Sequence, residues 1–201
     1  PFRREPEVTR STHRWNFWIA GWESALFMCA SDMMGPMTLI PFLFARTGLD
    51  PSWNALFVVA SVLGALGNPL GTAWAGGRRW KLPFCVKVGC VQRIGFLAVP
   101  LGALFLFDRP VVLLTVLVLA WTFTFVVGGV ASPVYQFVIL HGTWESWWGR
   151  MLSLRNVLAS IAAFGTTAFV WWVNRAYVAP VNYAVIGWAG AALMVLSIYL
   201  V

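Results

Sequence analysis

The chain has 201 residues, of which 60% are hydrophobic and only 10% charged, with a formal net charge of +7. A soluble domain carries about 25% charged residues to solvate its surface, so most of this chain's surface faces something other than water. The apolar residues come in long runs near the 20 that a bilayer core about 30 Å thick requires, which excludes an ordinary water-soluble domain.

In hydrocarbon every backbone amide needs a partner within its own helix or within a closed barrel. The runs are too long and continuous for barrel strands, which alternate every second residue. The expected fold class is therefore all-α integral membrane, a six-transmembrane-helix bundle preceded by a basic arm.

Residues 1–14 form that arm, polar and bearing Arg3, Arg4, Arg10 and Arg14. They lack a signal-peptide pattern. The first span is expected over 15–44, longer than a bilayer needs. It is broken by Gly35-Pro36 and Pro41, because Pro36 has no N–H to bond the carbonyl of Asp32. The second span covers 53–74, and its Gly64, Gly67 and Gly71 fall at the spacing of a close-packing face. After the basic loop Gly76-Gly77-Arg78-Arg79-Trp80-Lys81 come a third span over 82–107 and a fourth over 111–140, divided by Asp108-Arg109-Pro110. The fifth covers 151–173 and the sixth 181–201. The sixth run reaches Val201 without a polar stop, so further chain is expected to follow.

With six spans, Lys and Arg divide unevenly between the two sides. Arg3, Arg4, Arg10, Arg14, Arg78, Arg79, Lys81, Lys87, Arg150 and Arg155 lie on one, and Arg46, Arg109 and Arg175 on the other. Positive charge gathers in cytoplasmic loops, so a cytoplasmic amino terminus is expected. Cations placed between spans also explain the +7 without nucleic acid. Tryptophans near span ends, such as Trp15, Trp53, Trp74, Trp147 and Trp172, suit interfacial belts.

An ionisable group inside a bilayer is a functional candidate by default. Glu23 and Asp32 on the first span and Arg93 on the third qualify. Glu23 and Asp32 are nine residues apart, about 900° of helix rotation, and so fall on opposite faces. Arg93 lies about 16 Å into its span, at a depth where either carboxyl is a possible partner. Two readings stay open for these groups: a structural ion pair, or a substrate or proton-coupling site. Asn68 and Gln92 add polar groups that suit either.

His13 in the arm and His141 at a span end form no ligand set. Cys29, Cys85 and Cys90 lie in or beside apolar runs, where packing is the expected role. No nucleophile with its base, no phosphate-binding loop and no metal-ligand set appears, so neither an enzyme nor a cofactor is expected. A bound pigment or lipid is the alternative.

This layout resembles the amino-terminal six-helix half of the major facilitator superfamily, over nearly the whole chain after the arm. The family's loop between the second and third helices has the form Gly-x-x-x-Asp-Arg-x-Gly-Arg-Arg. The stretch Gly71-Thr72-Ala73-Trp74-Ala75-Gly76-Gly77-Arg78-Arg79 keeps the glycine and the Gly-Arg-Arg ending, one residue closer together. Ala75 stands in place of the aspartate, and Gly76 in place of the first arginine. Gly149-Arg150-Met151-Leu152-Ser153-Leu154-Arg155-Asn156 is similar to the start of the family's fifth helix, and the glycine and prolines after Asp32 to its first.

The resemblance implies a secondary transporter of a small solute. Its partners would be the lipid bilayer and a second six-helix half, and Gly71, Gly77, Arg78 and Arg79 would form its gating loop. In the family the loop aspartate belongs to a gating charge network, so its loss leaves an alternative. That alternative is a non-transporting accessory or scaffold subunit of a photosynthetic or respiratory membrane complex, packed against partner subunits, lipids or pigments.

Overall fold

In the computed structural model, residues 10–35, 38, 50–77 and 81–200 are described. Among them all regular structure is helical: α1 (Arg10–Met34), α2 (Asn54–Ala65), α3 (Gly67–Gly76), α4 (Lys81–Ile94), α5 (Ala98–Phe105), α6 (Pro110–His141), α7 (Trp148–Ala176) and α8 (Val181–Tyr199). The expected second span is the pair α2–α3, and the third is α4–α5 joined by a 3-10 turn over Gly95–Leu97.

Proline explains both interruptions. Pro69 leaves the carbonyl of Ala65 without its helical donor, and α2 ends at Ala65, with the Leu66 N–H bonded to Leu63 instead. Pro100 does the same to Phe96, in the middle of the 3-10 turn. Helix α6 runs on through Pro133, which removes the usual helical donor to the Gly129 carbonyl.

Five segments are long and apolar enough to cross a membrane: Ala55–Gly76, Lys81–Phe105, Pro110–His141, Glu145–Ala176 and Val181–Tyr199. They fall on the second to sixth expected spans, with ends displaced by a few residues. Helix α1 is not among them, because Asn16, Glu23, Ser24, Ser31 and Asp32 lower its hydropathy. It already begins at Arg10, inside the stretch expected as an arm. It ends at Met34, just before Gly35-Pro36, as a residue preceding proline disfavours helix. Pro36, Pro41 and the rest of the expected first span, Thr38 excepted, lie outside the described residues.

Helix α1 packs against α7 and α8; α6 packs against α2, α3 and α4; and α8 packs against α4 and α5. Exchanging the first span with the fourth, the second with the fifth and the third with the sixth maps these pairings onto themselves. A small contact between α7 and α8, neighbours in the chain, is the exception. Apart from that contact, the pairings of α1 to α5 repeat in those of α6 to α8.

Glycine sets the closest approach between the second and fourth spans. A Cβ on Gly67 would meet the Val126 carbonyl and the Val130 nitrogen, and one on Gly71 would meet the Val130 backbone. Gly129 of α6 faces Gly64 of α2 just as closely. The main core joins Met33 and Met34 of α1, Leu113, Leu114, Leu117 and Trp121 of α6, Val170 and Val173 of α7, and Ile186 and Met194 of α8. Outward faces stay apolar, with Val58, Val62 and Leu66 on the second span and Ile161, Phe164 and Trp171 on α7 all exposed. A bilayer solvates such faces; water does not.

One end of the bundle is closed by aromatic and polar contacts. His13 is only 2% exposed and stacks on Trp144 at 4.2 Å, accepting the Trp144 backbone N–H at 3.1 Å. Asn16 donates to the Gly142 carbonyl at 2.7 Å. Lys81 lies 4.0 Å over the Phe137 ring and Arg150 4.7 Å over Trp147. Arg109, which caps the start of α6, and Arg175, in the last turn of α7, sit at the opposite end. There Asp50 accepts the Ser52 N–H at 2.7 Å, which holds its carboxyl below the usual carboxylate range.

Gly71→Ala is expected to lower stability by about 1–3 kcal/mol through overpacking. Gly76→Ala, where nothing lies within 4 Å, is expected to change it by less than about 0.5 kcal/mol. Denaturant unfolding of the two variants in detergent measures the difference, and equal losses would show that the glycine face does not set the helix separation.

Candidate functional site

A cavity of about 470 Å³ lies between α1, the second span, α4 and α6, with α7 and α8 contributing at its edge. Each helix supplies one face. From α1 come Glu23, Ser24, Phe27 and Ser31; from the second span Ser61, Gly64 and Asn68; from α4 Cys85, Gly89, Gln92 and Arg93. From α6 come Thr124, Gly128, Ser132, Tyr135 and Gln136. Within each helix these positions recur every three or four residues, the spacing that puts side chains on one face. The polar residues of otherwise apolar helices therefore converge on one space.

Glu23, 4% exposed, accepts a hydrogen bond from the Tyr135 hydroxyl at its Oε2. Arg155 Nη2 donates to the same hydroxyl at 2.9 Å, and its guanidinium carbon lies 5.2 Å from the Tyr135 ring. Tyr135 thus links the carboxyl of α1 to the guanidinium of α7. Arg155 Nη1 is buried and has no hydrogen-bond partner among the described residues.

Arg93 is anchored on the other side. Its Nε donates to the Met194 carbonyl at 3.0 Å, Nη1 to the Gly89 carbonyl at 3.0 Å and Nη2 to the Ser197 hydroxyl at 2.8 Å. The Phe27 ring lies 5.3 Å from its guanidinium carbon. Each Arg93 nitrogen is thus held by a neutral acceptor, not by a carboxylate. Carbonyls and a serine position the guanidinium while leaving its charge uncompensated by contact.

Four of the expected candidates, Glu23, Arg93, Asn68 and Gln92, line the cavity. Asp32 does not; it is partly exposed, nine residues from Glu23 and on the opposite face of α1. Of the expected gating loop, Gly71 is buried in the helix contact with Val130 and Gly77 caps α3. Arg78 and Arg79 lie outside the described residues. His13 and His141 stand at the closed end, away from the cavity, with His141 Nδ1 2.9 Å from the Phe137 carbonyl.

Sequence reasoning missed Tyr135 and Arg155. Arg155 was read as a membrane-end cation, although it stands two helical turns beyond Trp148, about 10 Å along α7. The signal for Tyr135 was the run Thr124, Gly128, Ser132, Tyr135, Gln136, a stripe of small and polar residues at helical spacing in an apolar helix. Cys29, read as packing, has its Sγ 2.7 Å from the Thr166 hydroxyl and so joins α1 to α7. Among the described residues no three His, Cys, Asp or Glu side chains are placed to hold a metal ion.

Five apolar helices of membrane-crossing length around a central polar cavity make this a multi-pass helical membrane protein by length and composition. Compared with protein-family models, curated proteins and solved structures, the chain matches none.

Removing the shared hydroxyl with Tyr135→Phe is expected to cost about 1 kcal/mol, the usual scale for an internal hydrogen bond in a membrane protein. Tyr199→Phe, at an 82% exposed position, is expected to cost nothing measurable. Thermal unfolding in detergent, run also on Arg155→Gln and on the double variant, reads the coupling. Additive losses would show that Tyr135 does not join Glu23 to Arg155.

Proposed function

We propose that the chain is the amino-terminal half of a secondary transporter of the major facilitator type, carrying a small solute through this cavity. The observation that carries the reading is a cavity of about 470 Å³ holding Arg93, Arg155 and Glu23 among apolar helices. A structural ion pair locks helices most simply when the two charges touch, whereas Arg93 is held by neutral groups. Charge kept in the membrane without direct neutralisation suits a site that a solute or proton visits.

The repetition of helix pairings supports the same reading. Transporters of this class are built from inverted repeats, with substrate bound near the bilayer midplane at repeat interfaces. A six-helix bundle made this way supplies one wall of the pathway, and a second six-helix half supplies the other. The exposed apolar faces of the second span and α7, which exchange places in the internal repeat, are the surfaces offered to that half and to lipid. The cations Arg10, Arg14, Lys81 and Arg150 at the end where α1 begins support a cytoplasmic amino terminus.

Ala75 keeps the accessory-subunit reading in play, because the family's gating aspartate is absent from that position. Uptake by the full chain in proteoliposomes distinguishes the two. As a transporter it moves a solute, and Arg93→Gln lowers uptake at least tenfold, about 1.4 kcal/mol of lost stabilisation, with the protein still monodisperse. A chain that purifies as a fixed member of a larger membrane complex and transports nothing is a scaffold instead.

A further inference from the structure

The charge of the cavity is unbalanced. Arg93 and Arg155 bring two guanidinium groups to its wall, while Glu23 brings one carboxyl. Arg155 is also incompletely satisfied: Nη2 is spent on Tyr135, but Nη1 is buried with no partner among the described residues. A buried donor without an acceptor carries a desolvation cost that a bound acceptor relieves. The planar guanidinium fork matches the two oxygens of a carboxylate better than any single neutral oxygen.

Four aromatic rings add an apolar surface to the wall. Phe27, Phe96, Trp121 and Phe125 all line the same space. Its volume lies within the range of about 300–1,000 Å³ usual for small-molecule sites, which pair an apolar lining with a few oriented polar groups. A bare inorganic anion uses none of that aromatic surface, and a cation meets two like charges.

Resting on the transporter reading for the ligand's role as transported solute, we propose that the cavity takes a small organic carboxylate. Its head group pairs with the Arg155 guanidinium at the cavity wall, and its apolar body lies against Phe27, Phe96, Trp121 and Phe125. Glu23 is the internal carboxyl that, when ionised, opposes the incoming charge, coupled to Arg155 through the Tyr135 hydroxyl. Removing the charge of Glu23 therefore strengthens binding, which a purely structural role for Glu23 does not do.

The test is calorimetric titration of the full chain in detergent with hexanoate, benzoate and phenylacetate, each against its primary amide, and with sulfate and phosphate. At least one carboxylate is expected to bind about tenfold or more tightly than its amide and than either inorganic anion, the gap set by an oriented charged partner. Glu23→Gln is expected to tighten that carboxylate by about fivefold or more, the low end of usual site-to-site coupling. Arg155→Gln is expected to abolish binding, and Arg155→Lys, which keeps the charge without the fork, to weaken it. If Arg155→Gln does not stay monodisperse, Glu23→Gln and Arg155→Lys decide.

No carboxylate binding, amides or inorganic anions binding equally well, or weaker binding in Glu23→Gln would each overturn the proposal. A carboxylate that binds but is not moved in proteoliposomes counts against the transporter reading and leaves this site standing. Uptake of a neutral or cationic solute without carboxylate binding does the reverse.

Discussion

Arg155 donates to Tyr135 and Tyr135 donates to Glu23, so two consecutive hydrogen bonds tie the fifth, fourth and first helical spans around one cavity. In water such a chain has modest value, because solvent supplies equal partners. Within a bilayer no solvent competes, and ionisable side chains must find their partners in the protein or in a water-filled space. The placement of α1 follows from this. Its described part is too polar to count with the five apolar spans, and its inward face carries Glu23, Ser24 and Ser31. Packing among α6, α7 and α8 holds that face toward the cavity and away from lipid.

Close glycine contacts make this geometry possible. Where Gly67 and Gly71 meet Val126 and Val130, the backbones of the second and fourth spans approach too closely for a Cβ. With these spans drawn together on one side, and α1 against α7 on the other, the polar stripes of four helices face a common centre. The larger helix pairings are unchanged when the first three expected spans are exchanged with the last three.

Much of this was legible in the sequence because helical periodicity and bilayer thickness are strong constraints. Five expected spans fall on membrane-length helices, and Gly64, Gly67 and Gly71 pack as their spacing implied. Glu23 and Asp32 lie on opposite faces, as nine residues of helix require. Other features were not legible. Arg93 bonds to the Gly89 carbonyl of its own helix and to the Met194 carbonyl and Ser197 hydroxyl of α8, and no local pattern reveals acceptors from a helix about a hundred residues away. Arg155 sits near a span end, where cations ordinarily set orientation, so only its tertiary contact with Tyr135 marks it as part of the cavity. The breaks at Ala65 and Gly95–Leu97 were encoded by Pro69 and Pro100, but a proline inside an apolar run does not say whether the helix bends or stops.

The central claim is that the cavity is open to water and solute, not a dry pocket around a structural charge cluster. Cysteines placed singly at Ser61, Asn68 and Gln92, in a background where Cys29, Cys85 and Cys90 are replaced by serine, test it with a membrane-impermeant charged thiol reagent. Val62→Cys and Leu66→Cys, on the exposed apolar face, serve as the lipid-facing comparison. The account predicts that the three cavity positions react in the reconstituted protein while the two lipid-facing ones do not. Unreactive cavity positions that become labelled only after denaturation would contradict it.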